Sequence, residues 1–294
     1  MRFEKAFVFV VTTFFLSWLL AFCYRLVFGG LNTPGALPMM LLYMYIPALV
    51  AYLLTKFVYR EPVSTLGISF KLNRWFLAAW LAPPAIAFLA FVISLLFPGI
   101  SFSAEMAGMF ERFKSTLTPE QITQMKVSLK AMPIHPFWLM LVQGLIAGAT
   151  VNALAAFGEE LGWRGFLQAA FSELSFWRSS LVIGLIWGLW HAPIILQGHN
   201  YPQHPQLGVL MMVIWCVLFS PIISYCRLKA KSVLAAAVCH GTINGTMGLS
   251  FMLLSGGSDL LIGGLGVAGF IALALANLAI LVYDRYLSRE PITV

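Results

Sequence analysis

FWLMLVQGLIAGATVNALAAFGEELGWR, residues 137–164, is the stretch on which the fold turns. Residues 137–157 carry no charge, and the run then ends on Glu159, Glu160 and Arg164. About 20 mostly apolar residues suffice to cross a bilayer as a helix. Ionisable side chains in or beside such a run are costly, and chains that keep them usually use them. Gly144, Gly148, Thr150 and Asn152 dilute the run. A helix that stopped at Phe157 would leave Glu159 at the membrane surface. If Glu159 is to sit inside, in a cavity open to the cytoplasm, the helix must continue to about Phe171.

Seven further runs of spanning length surround this one: 6–28, 37–58, 75–97, 178–197, 207–226, 232–254 and 260–283. The 294-residue chain is 60% hydrophobic and 10% charged, with a mean hydropathy of +0.87. This excludes a soluble domain and points to an all-α polytopic bundle of about eight transmembrane helices. The runs follow one another too closely for separate folding units, so residues 1–294 are expected to form one membrane-embedded domain. The first run is too long for a signal-peptide core and reads as a retained span.

The net charge of +7 is unevenly placed. The N-terminus, 56–74, 158–178, 227–231 and the C-terminus hold 13 of the 18 Lys and Arg residues. Arg25, Arg112, Lys114, Lys126 and Lys130 fall on the other side. Lys and Arg collect in cytoplasmic loops, so both termini are expected in the cytoplasm, as an even number of spans requires. No basic stripe with interleaved aromatics appears, and nucleic acid is not an expected partner. Cys23, Cys216, Cys226 and Cys239 show no CxxC and read as small apolar residues.

The long connection 98–136 has its own signal. Thr118, Pro119 and Gln121 form a helix start, with a capping threonine, proline at the first position and glutamine three residues after the cap. Ile122, Met125, Leu129 and Met132 follow at helical spacing and predict an interfacial helix, with a lid or substrate guide as the alternative. Gly144-x-x-x-Gly148 and the cluster Gly263, Gly264, Gly266 and Gly269 read as sites of close helix packing.

Three constellations could carry chemistry. Glu160 and Arg164 are four apart and can pair on one helix face, while Glu159 points about 100° away. A buried carboxylate without a cation can act as a general base. His191 lies inside an apolar run with Trp187 one turn earlier and Pro193 just beyond. His240 and Asn244 project from one face and offer donors for a carbonyl oxygen as charge develops on it. One base, two imidazoles and one amide on three helices form a set suited to attacking a carbonyl with water. The same residues leave a zinc site open as an alternative, with Glu159, His191 and His240 as ligands, although no HExxH occurs.

The order Glu-Glu-x-x-x-Arg, aromatic-x-x-x-His and His-x-x-x-Asn resembles the CAAX-protease and bacteriocin-processing (CPBP, or Abi) family of intramembrane proteases. The likeness is strongest over about 140–250. It implies Glu159 as the base that activates water, His191 as a holder of that water, and His240 with Asn244 as the oxyanion site. Glu160 and Arg164 would be supporting motif residues. The family often has Phe where this chain has Trp187. The resemblance implies an endopeptidase of the CAAX prenyl protease type in a prokaryotic plasma membrane. Its expected partners are the bilayer and a membrane-bound protein or peptide substrate. No cofactor is required by the metal-free form of the mechanism, which asparagine suits better than zinc ligation. Two rival readings are a proton-coupled transporter and a non-catalytic scaffold or bacteriocin-immunity protein of the same fold.

Overall fold

A computed structural model describes residues 2–113 and 117–293. Lys114 lies outside the described residues, and so do the side chains of Arg2 and Arg112. The chain runs through α1 (Arg2–Phe28), α2 (Ala36–Leu53, continued by a π turn Leu54–Val58), α3 (Arg74–Ser94), β1 (Ser101–Phe102), α4 (Ala107–Phe113) and α5 (Pro119–Lys130). It continues through α6 (Pro136–Ala149), α7 (Val151–Glu160), a π stretch Leu161–Leu167, α8 (Gln168–Ala170), α9 (Phe176–Trp190) and α10 (Ala192–Ile195). The last elements are α11 (Pro205–Ala230), α12 (Val233–Thr246), α13 (Leu249–Met252), β2 (Leu254–Ser255) and α14 (Val267–Tyr286). Strands β1 and β2 form a short antiparallel pair that ties 101–102 to 254–255.

The result is an all-α polytopic membrane bundle. Phe15, Leu42, Phe88 and Leu139 are among many large apolar side chains that point outward. Such a surface suits lipid and not water. Among the described residues, α1, α2 with its π turn, α3, α11 and α14 are each long and apolar enough to cross a membrane, and α6 with α7–α8, bent by 46°, is long and apolar enough only when the pair is taken together.

The remaining two expected spans are present as shorter rods. α9 has 15 residues and α12 has 14. At 1.5 Å per residue these are about 21–22 Å long, short of a hydrocarbon core of about 30 Å. The expected spans 178–197 and 232–254 are corrected accordingly, with breaks at His191 and after Thr246. α12 is central, packed among α3, α6, α7 and α11, whereas α9 lies chiefly on α11 and turns Leu181, Leu185 and Leu189 outward.

The span 137–157 is also redrawn. It breaks at Thr150 (φ −124°, ψ −99°), and the second half runs past both glutamates to Ala170. The continuation required to bury Glu159 is therefore present.

Close helix approach at the centre follows from glycine. A Cβ on Gly241 would meet Gly148 O at 2.6 Å, and one on Gly148 would meet Thr242 Cα at 2.6 Å, so α6 and α7 touch α12 backbone to backbone. Gly188 does the same for α9 on α11, where a Cβ would meet Val213 Cα at 2.6 Å. The Gly263–Gly269 cluster differs from expectation. It folds the connection 261–266 tightly onto the start of α14 and onto Met247, and does not join two long helices.

Helix α5 begins with the expected capping box, Gln121 N–H donating to Thr118 Oγ1 and Thr118 N–H to Gln121 Oε1. Its Ile122, Met125 and Leu129 dock on Met106, Met109 and Phe110 of the α4 region, beside Met140 and Met252. Met132 stands outside this cluster and is exposed.

Candidate active site

The helix order brings the three constellations together. From α8 back to Glu159 is 11 residues, about 16 Å along the axis, and from the start of α9 to His191 is 15 residues, about 22 Å. The two groups therefore reach similar depth from the end that carries 171–175. His191 ends α9, where Pro193 opens the next turn, so its ring is released from the regular helix wall.

Glu159, Trp187, His191, His240 and Asn244 all line one cavity of about 420 Å³. Glu159 and His240 are 3% and 4% exposed, His191 6%. Asn244 is exposed toward the opening and has no protein hydrogen bond among the described residues. Met40, Met212, Trp215 and Ile262 supply much of the apolar wall.

Glu159, His191 and His240 are each held from behind. Trp187 Nε1–H donates to Glu159 Oε2 at 2.7 Å, which leaves Oε1 free of protein partners. The Trp187 carbonyl accepts from His191 Nδ1 at 2.8 Å. That bond places the proton on Nδ1, so the neutral ring presents Nε2 as an acceptor. Glu160 Oε1 accepts from Arg164 Nη1 at 3.0 Å and lies 2.8 Å from His240 Nδ1. Glu160 thus serves two partners, where the spacing alone gave only Arg164. With Nδ1–H directed at Glu160, His240 can donate a second N–H into the cavity only as imidazolium.

Beneath the site the protein is closed. Arg164 is fully buried with its guanidinium 4.6 Å from the Trp187 ring centre. Trp163 and Trp190 pack edge to face at 5.7 Å. None of the cavity's lining residues comes from 53–75, 165–178 or 223–233. The lining instead includes His199, Asn200, Asp259, Ile262 and Leu265, from connections at the opposite end. The expected opening toward the positively charged end is corrected: buried Trp163, Arg164, Phe166 and Leu167 fill that direction.

The zinc alternative does not fit these residues. Among the described residues no three His, Cys, Asp or Glu side chains form a group that could hold a metal ion. The bonds to Trp187 and Glu160 leave Glu159 Oε1 and the Nε2 atoms of His191 and His240 uncommitted, so it is the placement of the three side chains, and not their hydrogen bonding, that counts against a ligand group.

Sequence reasoning missed His199, Asp259 and Tyr43. Tyr43 donates to the Trp190 carbonyl at 2.6 Å and closes the wall on the α2 side. Only its place in a polar-poor helix could have signalled it.

Residues 133–246 match the family described as type II CAAX prenyl endopeptidase Rce1-like. The chain is 34% identical over 142 residues to CAAX prenyl protease 2 of Methanococcus maripaludis, covering 45% of this chain and 48% of that protein. The chain thus spans about half the length of the curated relative it matches. The matched segment contains every residue of the three constellations, from Glu159 to Asn244. Through that central segment the chain is similar to the type II CAAX prenyl endopeptidase Rce1-like family.

Proposed function

We propose that the chain is an intramembrane endopeptidase that hydrolyses peptide bonds of membrane-associated proteins or peptides with a glutamate-activated water. The observation that carries this reading is the convergence of Glu159, His191, His240 and Asn244 on one cavity. A bilayer supplies no water, so hydrolysis at this depth requires a protein-lined cavity of this kind.

The free acceptors suit one water molecule. Glu159 Oε1 and His191 Nε2 accept its two hydrogens and leave an oxygen lone pair for the scissile carbonyl. Glu159 takes one proton as the water oxygen bonds to the carbonyl carbon. The carbonyl oxygen becomes an oxyanion, held by His240 Nε2–H and the Asn244 amide. The tetrahedral intermediate then collapses: the C–N bond breaks, Glu159 returns its proton to the leaving nitrogen, and a carboxylic acid is released. Glu160 stabilises the His240 imidazolium that this role needs, and Arg164 balances the buried charge. A prokaryotic plasma membrane is the proposed location.

Purified protein in detergent tests this with a panel of membrane-protein and peptide substrates. Glu159→Gln is expected to lower turnover by about 10²–10⁴, the range of a positioned general base. Glu160→Gln is expected to lower stability as well, since removing one partner of a buried pair costs about 3–5 kcal/mol. Activity is expected to persist in EDTA. Full turnover by Glu159→Gln would end the proposal.

A further inference from the structure

A second cavity of about 1240 Å³ adjoins the catalytic one. The two share His199, Asn200, Phe251 and Asp259 as a common wall. Their characters differ. The catalytic cavity is walled by Met, Trp and Ile side chains, whereas the second is bordered by Arg25, Asn32, Gln197 and Gln203 and by glycine backbone.

Two groups on the second wall lack protein partners. Arg25, in the last turn of α1, is exposed and makes no hydrogen bond or ion pair through its side chain among the described residues. Gln197 donates through Nε2 to Pro193 O at 3.1 Å, while its Oε1 is buried without a partner. The carboxylates of this wall are differently placed. Asp259 is occupied by His204 Nδ1 at 2.7 Å and by the Gln203 N–H at 2.9 Å, and Glu111 also has a partner. Burial pushes the His199 imidazole down to about 4, so it adds no charge at neutral pH. Arg25 is therefore the unpaired cation of this cavity among the described residues.

We infer that the second cavity binds the polar arm of the peptide substrate, and that Arg25 selects an arm carrying a carboxylate. The inference rests on the hydrolase reading and names what the same site accepts. A peptide that spans both cavities would place apolar side chains beside Met212 and Trp215. Its polar arm would cross the His199–Asp259 wall and set its carboxylate on the Arg25 guanidinium, whose fork matches carboxylate geometry.

The test uses the full-length Glu159→Gln protein in dodecylmaltoside, which binds peptide without turning it over. The probes are N-terminally labelled alanine- and leucine-based octapeptides that end in a carboxylate or a carboxamide. The acid is expected to bind about tenfold more tightly than the amide, as read by fluorescence anisotropy, in line with one charge-assisted hydrogen-bonded pair. Adding Arg25→Gln should bring the ratio to within twofold, and Arg25→Lys should retain part of it. Lys71→Gln, at the far end of the bundle, should leave the ratio unchanged. No discrimination by the parent, no binding of either peptide, or discrimination that survives Arg25→Gln would overturn the inference. Loss of co-purifying phosphatidylglycerol in Arg25→Gln with an unchanged ratio would assign Arg25 to a lipid headgroup and overturn it too. Discrimination without any cleavage by the wild-type chain would sink the hydrolase reading and leave the carboxylate site standing.

Discussion

At position 187 the indole N–H reaches Glu159 Oε2 at 2.7 Å, while the same residue's carbonyl accepts from His191 Nδ1 at 2.8 Å. One residue therefore orients both groups proposed to hold the water. Phenylalanine, common at this place in the family the sequence resembles, would keep the carbonyl contact and lose the indole donor. Trp187→Phe is expected to preserve folding, since ring packing against Phe219 and Trp215 is largely kept. Hydrogen bonds to charged groups contribute about 1.5–3 kcal/mol, so turnover should fall roughly 10–100-fold. Initial rates on the same substrate, with melting temperature as a control, decide this. Unchanged kcat would mean that Glu159 is oriented by something other than Trp187. Some of this site could be read in advance. The i,i+4 spacings gave the Glu160–Arg164 pair and put His240 and Asn244 on one face. The bonds Trp187–Glu159 and His240–Glu160 cross 28 and 80 residues of chain, and spacing carries no information at that range.

Helices α6, α7 and α12 meet where glycine removes the side chains, and this contact sets the position of His240 and Asn244, the proposed oxyanion donors. Gly241 follows His240 directly and precedes Asn244 by three residues, and a Cβ there would meet Gly148 O at 2.6 Å and Ala153 Cα at 2.7 Å. Both are backbone atoms and cannot step aside as a side-chain tip can. Gly241→Ala is expected to cost about 1–3 kcal/mol by overpacking and to move α12 off α7. A shift of about 1 Å at the reacting groups can cost on the order of 10²-fold in rate. Gly248→Ala is the matched control, because nothing lies within 4 Å of a Cβ there. Thermal unfolding and turnover measured on both variants should separate them, and a fully active, equally stable Gly241→Ala protein would refute the close-packing account. The sequence marked Gly144 and Gly148 as packing positions, but it gave no such signal at Gly241. It did not show the bend at Thr150 or the π stretch Leu161–Leu167. Hydropathy averages over about 20 residues and is blind to a one-residue change in hydrogen-bond register. The ends of α9 and α12 were lost for the same reason: apolar residues continue past both breaks.

Across the whole molecule, charge and cavity point to opposite ends. Lys56, Arg60, Lys71, Arg74, Arg227 and Lys231 gather at one end, and the layer of Trp163, Arg164, Phe166 and Leu167 closes the bundle beneath them. Both cavities draw lining from the other end, the first from His199, Asn200, Phe251 and 259–265, the second from 29–32, 196–205 and 251–259. The polar loop residues that build this second wall, His199, Asn200 and Asp259, looked like ordinary connection in the sequence because only the fold brings 199 and 259 together. The excess of Lys and Arg predicts that the closed end lies in the cytoplasm. It follows that the open end faces away from the cytoplasm, and that a hydrophilic substrate arm would arrive from outside. Single cysteines in a Cys23→Ser background test this, since Cys216, Cys226 and Cys239 are buried. Asn32→Cys, exposed on the second cavity, should react with a membrane-impermeant maleimide in intact bacteria. Lys71→Cys, exposed at the other end, should react only after permeabilisation. The reverse pattern would invert the topology and turn both cavities toward the cytoplasm. Cleavage would then act on cytoplasmic chains, and the positive-inside bias of this protein would have to be outweighed by another determinant, such as the order in which the short helices α9 and α12 insert.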